Sequence, residues 1–366
     1  MNMQRAIGIS TGPATHLDHL GVLCILFDIP LIVTDEGVYE TARRFYPQLD
    51  VHLHSWNDLS LDSLAQHADI LFGCGKYWAE SLRPAFECVS PKQMRFVFCP
   101  HGNSDKGHSL RPEEAHPQQD IALIYGDHMY ELLKNTGALS SINHVIRTGN
   151  YRHSYYLDHR AFYDDLAGEM VFQHLPKDKK ILLYAPTWPN KENPSPVFDL
   201  SEELIKQLSP TFTLLIKWHP LLEEFYPGQT HHFLGRYSGH PGVHFVTDFP
   251  AIYPLLMRSD AYIGDFSSIG YDYLLFDRPM YFLPRYFLPS SSKAGPLFNC
   301  GFTLMQEHFT SLAAYLEKTW EENQSRFHAA KKALYSHAFG DPKDSKHLKE
   351  EIFETIRKTC AKASGG

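Results

Sequence analysis

The feature that most restricts the fold is a regular alternation of short apolar segments with amphipathic stretches. The apolar segments are rich in β-branched and aromatic residues, as in AIGIS (6–10), RFVFC (95–99) and AYIG (261–264). A strand that is apolar throughout is buried on both faces, which is typical of parallel sheets covered by helices. The alternation therefore predicts an α/β fold with doubly wound parallel sheets.

The predicted strands form two series, separated by a helical stretch at about 155–172. With 366 residues, 43% of them hydrophobic, the chain can bury two cores. We therefore predict two Rossmann-like domains, at 1–165 and 166–366. The strands of the two series are Ala6–Ser10, Pro30–Thr34, Val51–His54, Ile70–Gly73, Arg95–Cys99, Ile121–Tyr125 and His144–Arg147, then Lys180–Tyr184, Thr213–Lys217, His244–Val246, Ala261–Gly264 and Met280–Leu283.

The last segment, at about 310–362, has a helical pattern with an apolar face and no strand pattern. Leu312, Tyr315, Leu316 and Trp320 recur at helical spacing and so lie on one side. We expect these terminal helices to pack on the second domain, with the final helix able to cross back to the first.

Charge and composition exclude several functional classes. A net charge of −8 argues against a nucleic-acid partner, and no apolar run is long enough to span a membrane. The N-terminus lacks the apolar core of a signal peptide, and the six cysteines are scattered without a CxxC pair. We expect a cytosolic protein with reduced thiols. The 22 histidines lack flanking partners at zinc-site spacing, so no metal site is predicted.

In open α/β sheets, ligands bind beyond the carboxyl ends of the strands. Five strand ends in this chain carry polar side chains instead of ordinary turn residues. They are Ser10-Thr11-Gly12-Pro13 with His16 close behind, His101-Gly102, Thr187-Trp188, His219-Pro220 and Ser267-Ser268.

Two of these strand ends present histidine. His101 follows a buried strand, Gly102 permits a sharp turn, and Lys106 comes shortly after. Such a histidine can act as a general base, or it can be a turn residue bonded to a carbonyl; the residues alone favour neither. His219 and Lys217 alternate along a strand and share one face, which favours a cationic site for phosphate over a solvated lysine beside a capping histidine.

Ser267 and Ser268 stand between a buried strand and a helix. A serine there caps the helix, but the same backbone N–H groups can hold phosphate oxygens. Asp265 either supports the loop or bonds a ligand hydroxyl. No GxxxxGKS, GxGxxG, GxSxG or paired-aspartate motif follows a strand, so we expect no bound cofactor and stabilisation of a leaving group without metal.

Four ordered motifs resemble those of the CDP-glycerol glycerophosphotransferase family, which includes teichoic-acid primases and polymerases. HGNSDK (101–106) resembles its HG-x-x-x-K segment, and YAPTW (184–188) resembles its APTW segment. KWHP (217–220) resembles K-x-HP, and DFSSIGYDYLLFDRP (265–279) resembles a long signature that begins D-[YF]-SS. The resemblance extends over about 95–285.

This resemblance implies a GT-B-type fold, with two Rossmann-like domains facing a cleft. The N-terminal domain would take the acceptor and the C-terminal domain the CDP-activated donor. Glycerol phosphate, or a related alditol phosphate, would pass to a glycan or lipid-linked glycan in the synthesis of a cell-envelope polymer such as teichoic acid or capsule polysaccharide. The transfer would be inverting and metal-independent, and it would release CMP.

The resemblance also implies roles for individual residues. His101 is the implied general base, and His219 stabilises the donor pyrophosphate with Lys217 near it. Asp277 and Arg278 fix the turn into the next strand. Substrate binding is implied for Gly102, Lys106, Thr187, Trp188, Lys217, Asp265, Ser267 and Ser268, with Asp272 as a buttress.

Two departures from the family pattern leave the donor open. Pro189 stands where the family has arginine after APTW, and only Gly295-Pro296 remains of a later PGP-like motif. CDP-glycerol is the default donor and CDP-ribitol the alternative. A GT-B glycosyltransferase, a nucleotide-sugar epimerase and a non-catalytic nucleotide-binding homologue stay as rival functions. Peripheral contact with the inner membrane leaflet is open, although the net charge favours a solvated surface.

Overall fold

The computed structural model describes residues 5–74, 78–89, 94–103, 119–140, 142–189, 196–265, 267–283 and 295–363. The strands are β1 (Ala6–Ser10), β2 (Leu31–Val33), β3 (Val51–Leu53), β4 (Ile70–Cys74), β5 (Arg95–Cys99), β6 (Ile121–Ile124), β7 (His144–Arg147), β8 (Ile181–Tyr184), β9 (Thr213–Ile216), β10 (Val243–Phe245), β11 (Ala261–Gly264), β12 (Met280–Phe282) and β13 (Phe302–Thr303). The α-helices are α1 (Leu20–Phe27), α2 (Glu36–Phe45), α3 (Leu61–His67), α4 (Arg83–Val89), α5 (Asp127–Asn135), α6 (Tyr151–Asp158), α7 (Arg160–Met170), α8 (Val197–Leu208), α9 (Leu221–Phe225), α10 (Pro227–Tyr237), α11 (Tyr253–Arg258), α12 (Ser268–Tyr273), α13 (Leu312–Arg326), α14 (His328–Phe339) and α15 (Ser345–Ala363). Short 3-10 helices lie at Ala14–Asp18, Trp56–Asp58, Phe172–His174, Leu274–Phe276, Pro296–Cys300 and Gln306–Thr310, and a π-helical turn lies at Trp78–Leu82.

Two parallel sheets organise the described residues. One sheet has the order β3-β2-β1-β4-β5-β6-β7 and the other the order β10-β9-β8-β11-β12-β13. Strand order reverses between β1 and β4 in the first sheet and between β8 and β11 in the second, and such reversals are where open sheets bind ligands. The prediction of doubly wound parallel sheets is confirmed, and the predicted strands coincide with observed ones within about a residue. The two-residue strand β13 is too short to show a periodic pattern and is not among the predicted strands.

The chain divides into two compact units. Unit 1 contains the described residues up to Asn103, those from 119 to 157 and those from 337 onward, and unit 2 contains 158–336. The observed units differ in two places from the predicted division into 1–165 and 166–366. The boundary between them falls at 157–158, and the last helix belongs to unit 1. That helix, α15, packs on α1, where Phe353 contacts Phe27 edge to face. Helical periodicity shows that α15 has an apolar face, but it does not show which sheet layer covers that face.

The core of unit 2 confirms the predicted face of α13. Leu312, Leu316 and Trp320 are buried against the sheet residues of β8, β9 and β11, and Tyr315 packs at the margin of this core. The Trp320 ring stacks on Phe212 with centroids 6.0 Å apart. Burying each of these side chains contributes roughly 1.5–3 kcal/mol, so this face fixes α13 to unit 2.

A buried lysine holds the turn that leads into β12. Asp277 adopts a left-handed conformation with φ of 50°, and Arg278 donates to the Met257 carbonyl at 2.9 Å, near the end of α11. Lys331 of α14 is fully buried and donates to the Arg278 carbonyl at 2.7 Å, with Asp277 Oδ1 3.9 Å away. The contacts agree with the interpretation that Asp277 and Arg278 fix this turn.

We predict a pH-dependent stability contribution from Lys331. Burial lowers the pKa of its ammonium group from 10.5 to about 8 in the folded protein. Between these values the unfolded chain binds more protons than the folded chain, so folding stability rises with pH across that window. Relative to Lys331→Met, the unfolding free energy of the wild type should increase by up to about 3 kcal/mol from pH 8 to pH 10.5.

Urea denaturation of both proteins across this pH range measures the difference. Lys318→Met, at an exposed position of α13, is the matched control and should show no such trend. A difference between wild type and Lys331→Met that stays constant with pH would contradict the prediction.

Candidate active site

One carboxylate joins the ends of β8 and β11 in unit 2, where strand order reverses. Asp265 accepts from the Thr187 backbone N–H at 3.1 and 3.0 Å and from the Thr187 hydroxyl at 2.6 Å. It also accepts from the Ser267 backbone N–H at 3.1 Å. All three residues are buried. These contacts favour the role of Asp265 as loop support over that of a ligand for a substrate hydroxyl, and they engage the donors that Thr187 would offer to phosphate.

Ser267 occupies the N-cap position of α12, but its side chain makes no capping hydrogen bond. The nearby Tyr262 hydroxyl donates to the Ala185 carbonyl at 3.4 Å, and burial is the main reason that its pKa is well above the usual value. The chain makes room for this tyrosine with glycine, because a Cβ on Gly264 would lie 2.1 Å from Tyr262 Oη. Ser267 is buried, whereas Ser268 is half-buried and is the serine more accessible to a ligand.

Lys217, Trp218 and His219 follow directly after the end of β9. Trp218 packs into the core of unit 2. Lys217 is buried and its Nζ donates to the Phe249 carbonyl at 2.8 Å, so it is no solvated lysine. His219 Nδ1 accepts from the Leu221 N–H at 3.2 Å. Because Nδ1 acts as the acceptor, the neutral ring carries its proton on Nε2, which is then a donor suited to a phosphate oxygen.

Trp188 connects this histidine to the Asp265 network. Its ring lies 6.4 Å from the His219 ring and stacks on Phe225 at 5.2 Å. Asp272 lies deeper in unit 2 and accepts from the Tyr253 hydroxyl at 2.8 Å, in agreement with a buttressing role. The predicted residues of unit 2 thus separate by burial. Thr187, Lys217, Asp265, Ser267 and Asp272 are buried supports, and Trp188, His219 and Ser268 are partly exposed.

In unit 1, His101 follows β5 directly and is half-buried. Its Nδ1 is buried and has no hydrogen-bond partner among the described residues. Gly102 has φ of 142°, a conformation that side-chain-bearing residues rarely adopt, so this position favours glycine. Asn103 is buried and donates to the Ala338 carbonyl at 3.3 Å. Lys106, predicted to bind substrate, lies outside the described residues.

Beside His101 lies a group of polar residues, His16, Asp18 and His19, to which the sequence pattern assigns no role. The His16 ring lies 5.4 Å from the His101 ring. The adjacent Asp18 forms a buried ion pair with Arg152 at 2.7 Å. His19 Nδ1 is 2.5 Å from the Tyr125 hydroxyl, and burial is the main reason that the pKa of His19 is well below its usual value. The available signal was the pair of histidines at 16 and 19 after a strand ending in Ser-Thr-Gly-Pro.

In the described part of the chain, no group of three or more histidine, cysteine or acidic side chains is placed to hold a metal ion. No described helix combines the length and apolar character needed to cross a membrane.

We predict that Asp265→Asn destabilises unit 2. An asparagine side chain has a single acceptor oxygen and cannot accept from all three of the donors that the carboxylate now holds, so a buried N–H or O–H group loses its partner. The unfolding free energy should fall by about 2–4 kcal/mol, as measured by urea denaturation. Asp248→Asn, at an exposed position, is the matched control and should change little. Wild-type stability of Asp265→Asn would show that the network is not structural.

Comparisons with known proteins place this geometry in a family. The family model described as CDP-glycerol:poly(glycerophosphate) glycerophosphotransferase matches residues 144–354. A teichoic acid glycerol-phosphate primase of Bacillus spizizenii is 26% identical over 208 residues, which is 55% of this chain and 51% of that protein. A teichoic acid poly(ribitol-phosphate) polymerase of the same species is 30% identical over 152 residues, 38% of this chain and 22% of that protein. The chain therefore spans about half the length of the first relative and less of the second.

A solved structure with a similar fold is that of a histidine-to-asparagine variant of the wall teichoic acid polymerase TagF, soaked with CDPG. It is 16% identical, covers 97% of this chain and 89% of that chain, and has a TM-score of 0.62. At this identity the likeness shows the fold, which is of GT-B type with two Rossmann-like domains. The family model covers more than half of the 366 residues and includes every site residue named in unit 2. The chain belongs to the CDP-glycerol:poly(glycerophosphate) glycerophosphotransferase family.

Proposed function

We propose that this protein transfers glycerol phosphate, or a related alditol phosphate, from a CDP-activated donor to a hydroxyl acceptor and releases CMP. The observation that carries the proposal is the family match over 144–354, which contains the strand-end network of unit 2. The names of the relatives support it, because one makes a glycerol-phosphate linkage and another a ribitol-phosphate polymer. The acceptor is a glycan or lipid-linked glycan of the cell wall.

Unit 2 supplies the groups proposed to hold the donor. The transferred phosphoryl group needs alignment and stabilisation of charge more than covalent chemistry. His219 would donate from Nε2 to the pyrophosphate, because its Nδ1 is occupied by the Leu221 N–H. The half-buried Ser268 would add a neutral donor, and Trp188 would cover the bound alditol or ribose.

His101 of unit 1 is the proposed general base. It would take the proton of the acceptor hydroxyl while the oxygen attacks the β-phosphorus of the donor. The new P–O bond forms as the bond to CMP breaks, and the electron pair of that bond leaves with CMP. An in-line displacement of this kind inverts the configuration at phosphorus. We propose that it proceeds without metal, so that EDTA would leave the rate unchanged.

The donor is tested directly by incubating the protein with CDP-glycerol or CDP-ribitol and short-chain lipid-linked disaccharides. We expect CMP release from at least one donor, with the alditol phosphate on the acceptor. CMP and that donor should also raise the melting temperature, whereas UDP should not. Stabilisation by UDP-sugars with their turnover would favour a glycosyltransferase or an epimerase. Donor binding without CMP release would favour a non-catalytic homologue.

We predict that His101→Ala lowers kcat by roughly 10²–10⁴ through the loss of a general base, with little change in donor affinity. CMP release under saturating donor measures kcat, and calorimetry with the donor measures affinity. The control is His67→Ala, which removes an exposed histidine of α3 in the same unit. Near-normal turnover of His101→Ala would show that another group takes the proton.

A further inference from the structure

Within the described residues, His101 shows no hydrogen bond of the kind that usually orients a basic histidine. In a typical general base, an acceptor on one ring nitrogen fixes the ring and its tautomer, and the other nitrogen faces the substrate. Here Nδ1 is buried without a hydrogen-bond partner among the described residues. Because Nδ1 is buried, Nε2 is the nitrogen available to a substrate. Among the described residues, the contact available to hold the plane of the ring is therefore one of packing.

The ring of His16 supplies a packing contact. Its centroid lies 5.4 Å from that of His101, and the two planes are inclined by 45°. Rings with centroids roughly 4.5–7 Å apart attract each other beyond the effect of the area that they bury. This attraction favours one orientation of the His101 ring over its alternatives.

The position of His16 is itself well determined. The ring lies over Gly12, where an added Cβ would come within 2.5 Å of its Nδ1 and Cε1. On the other side of His16 along the chain, Leu17 and Asp18 are buried, and Asp18 forms the ion pair with Arg152. The 3-10 turn Ala14–Asp18 is thus anchored to the interior of unit 1. It places the His16 ring in a defined position against the His101 ring.

We propose that His16 is a positioning residue that holds the His101 imidazole in the orientation needed for proton removal. The inference rests on the proposed function, because it gives His16 a role only through His101. His16 would act by packing, with no transfer of the proton to it. Gly12 is part of the same packing arrangement, because the absence of a side chain there leaves the space that the His16 ring occupies.

The test compares His16→Ala, His16→Phe and Gly12→Ala with the wild type in the CMP-release assay. His16→Ala should lower kcat by roughly 10- to 100-fold, the scale expected when a catalytic group is misplaced, and leave the KM for the donor unchanged. His16→Phe should recover most of the rate, because a ring is restored. Gly12→Ala should lower kcat to a similar extent although His16 is still present, because the added methyl group displaces the His16 ring. In the double variant with His16→Ala, the methyl group has room, and kcat should fall no further than in His16→Ala alone.

Melting temperatures and the His67→Ala control separate these effects from unfolding. Retained kcat in His16→Ala would overturn the proposal, and so would a His16→Phe protein as slow as His16→Ala. The outcome is distinct from a failure of the proposed function. If His101→Ala keeps its turnover, the base assignment is wrong; if His101→Ala is slow while His16→Ala and Gly12→Ala are normal, only the role of His16 is wrong.

Discussion

The arrangement of unit 2 depends on one buried carboxylate at the reversal of its sheet. Asp265 accepts hydrogen bonds from Thr187, which follows β8, and from Ser267, the N-cap residue of α12. The chain segments that follow β8 and β11 are therefore joined at this carboxylate. Hydrogen bonds to a charged acceptor are stronger than neutral ones, and a buried carboxylate without them would be very costly. Thr187 and Ser267 are therefore held in place before any ligand binds, which lowers the entropic cost of binding one.

The two histidines proposed to act in catalysis, one in each unit, are oriented by different means. His219 is fixed locally, since the N–H of a residue two positions later in the chain occupies its Nδ1. His101 depends on residues that are distant in sequence, since the ring beside it comes from the first strand connection of unit 1. A contact between residues two positions apart can be encoded in a short motif, which agrees with the compactness of the K-x-HP motif. A contact between residues that are distant in sequence cannot be seen as a short motif.

Much of the fold and part of the site could be predicted from sequence. Continuous apolar runs identify buried parallel strands, and the rule that ligands bind at carboxyl ends leads directly to His219 and Ser268. The difference in burial between Ser267 and Ser268 could not be predicted, because it depends on how the strand end and Tyr262 pack around Gly264. The partner of α15 could not be predicted either, since an amphipathic pattern defines a face and no neighbour. His16 was visible as a residue, but its proximity to His101 required the fold.

The return of the chain to unit 1 affects how the protein is made. Unit 2 is continuous between 158 and 336 in the described chain, so all of its segments are available once that stretch has left the ribosome. Unit 1 also needs α15, whose buried Leu348, Ile352 and Ile356 are synthesised after the stretch 158–336 of unit 2. At elongation rates of about 5–20 residues per second, the apolar surface of α1 that α15 covers stays exposed for many seconds. Unit 1 therefore completes its core only after that stretch of unit 2 has been synthesised.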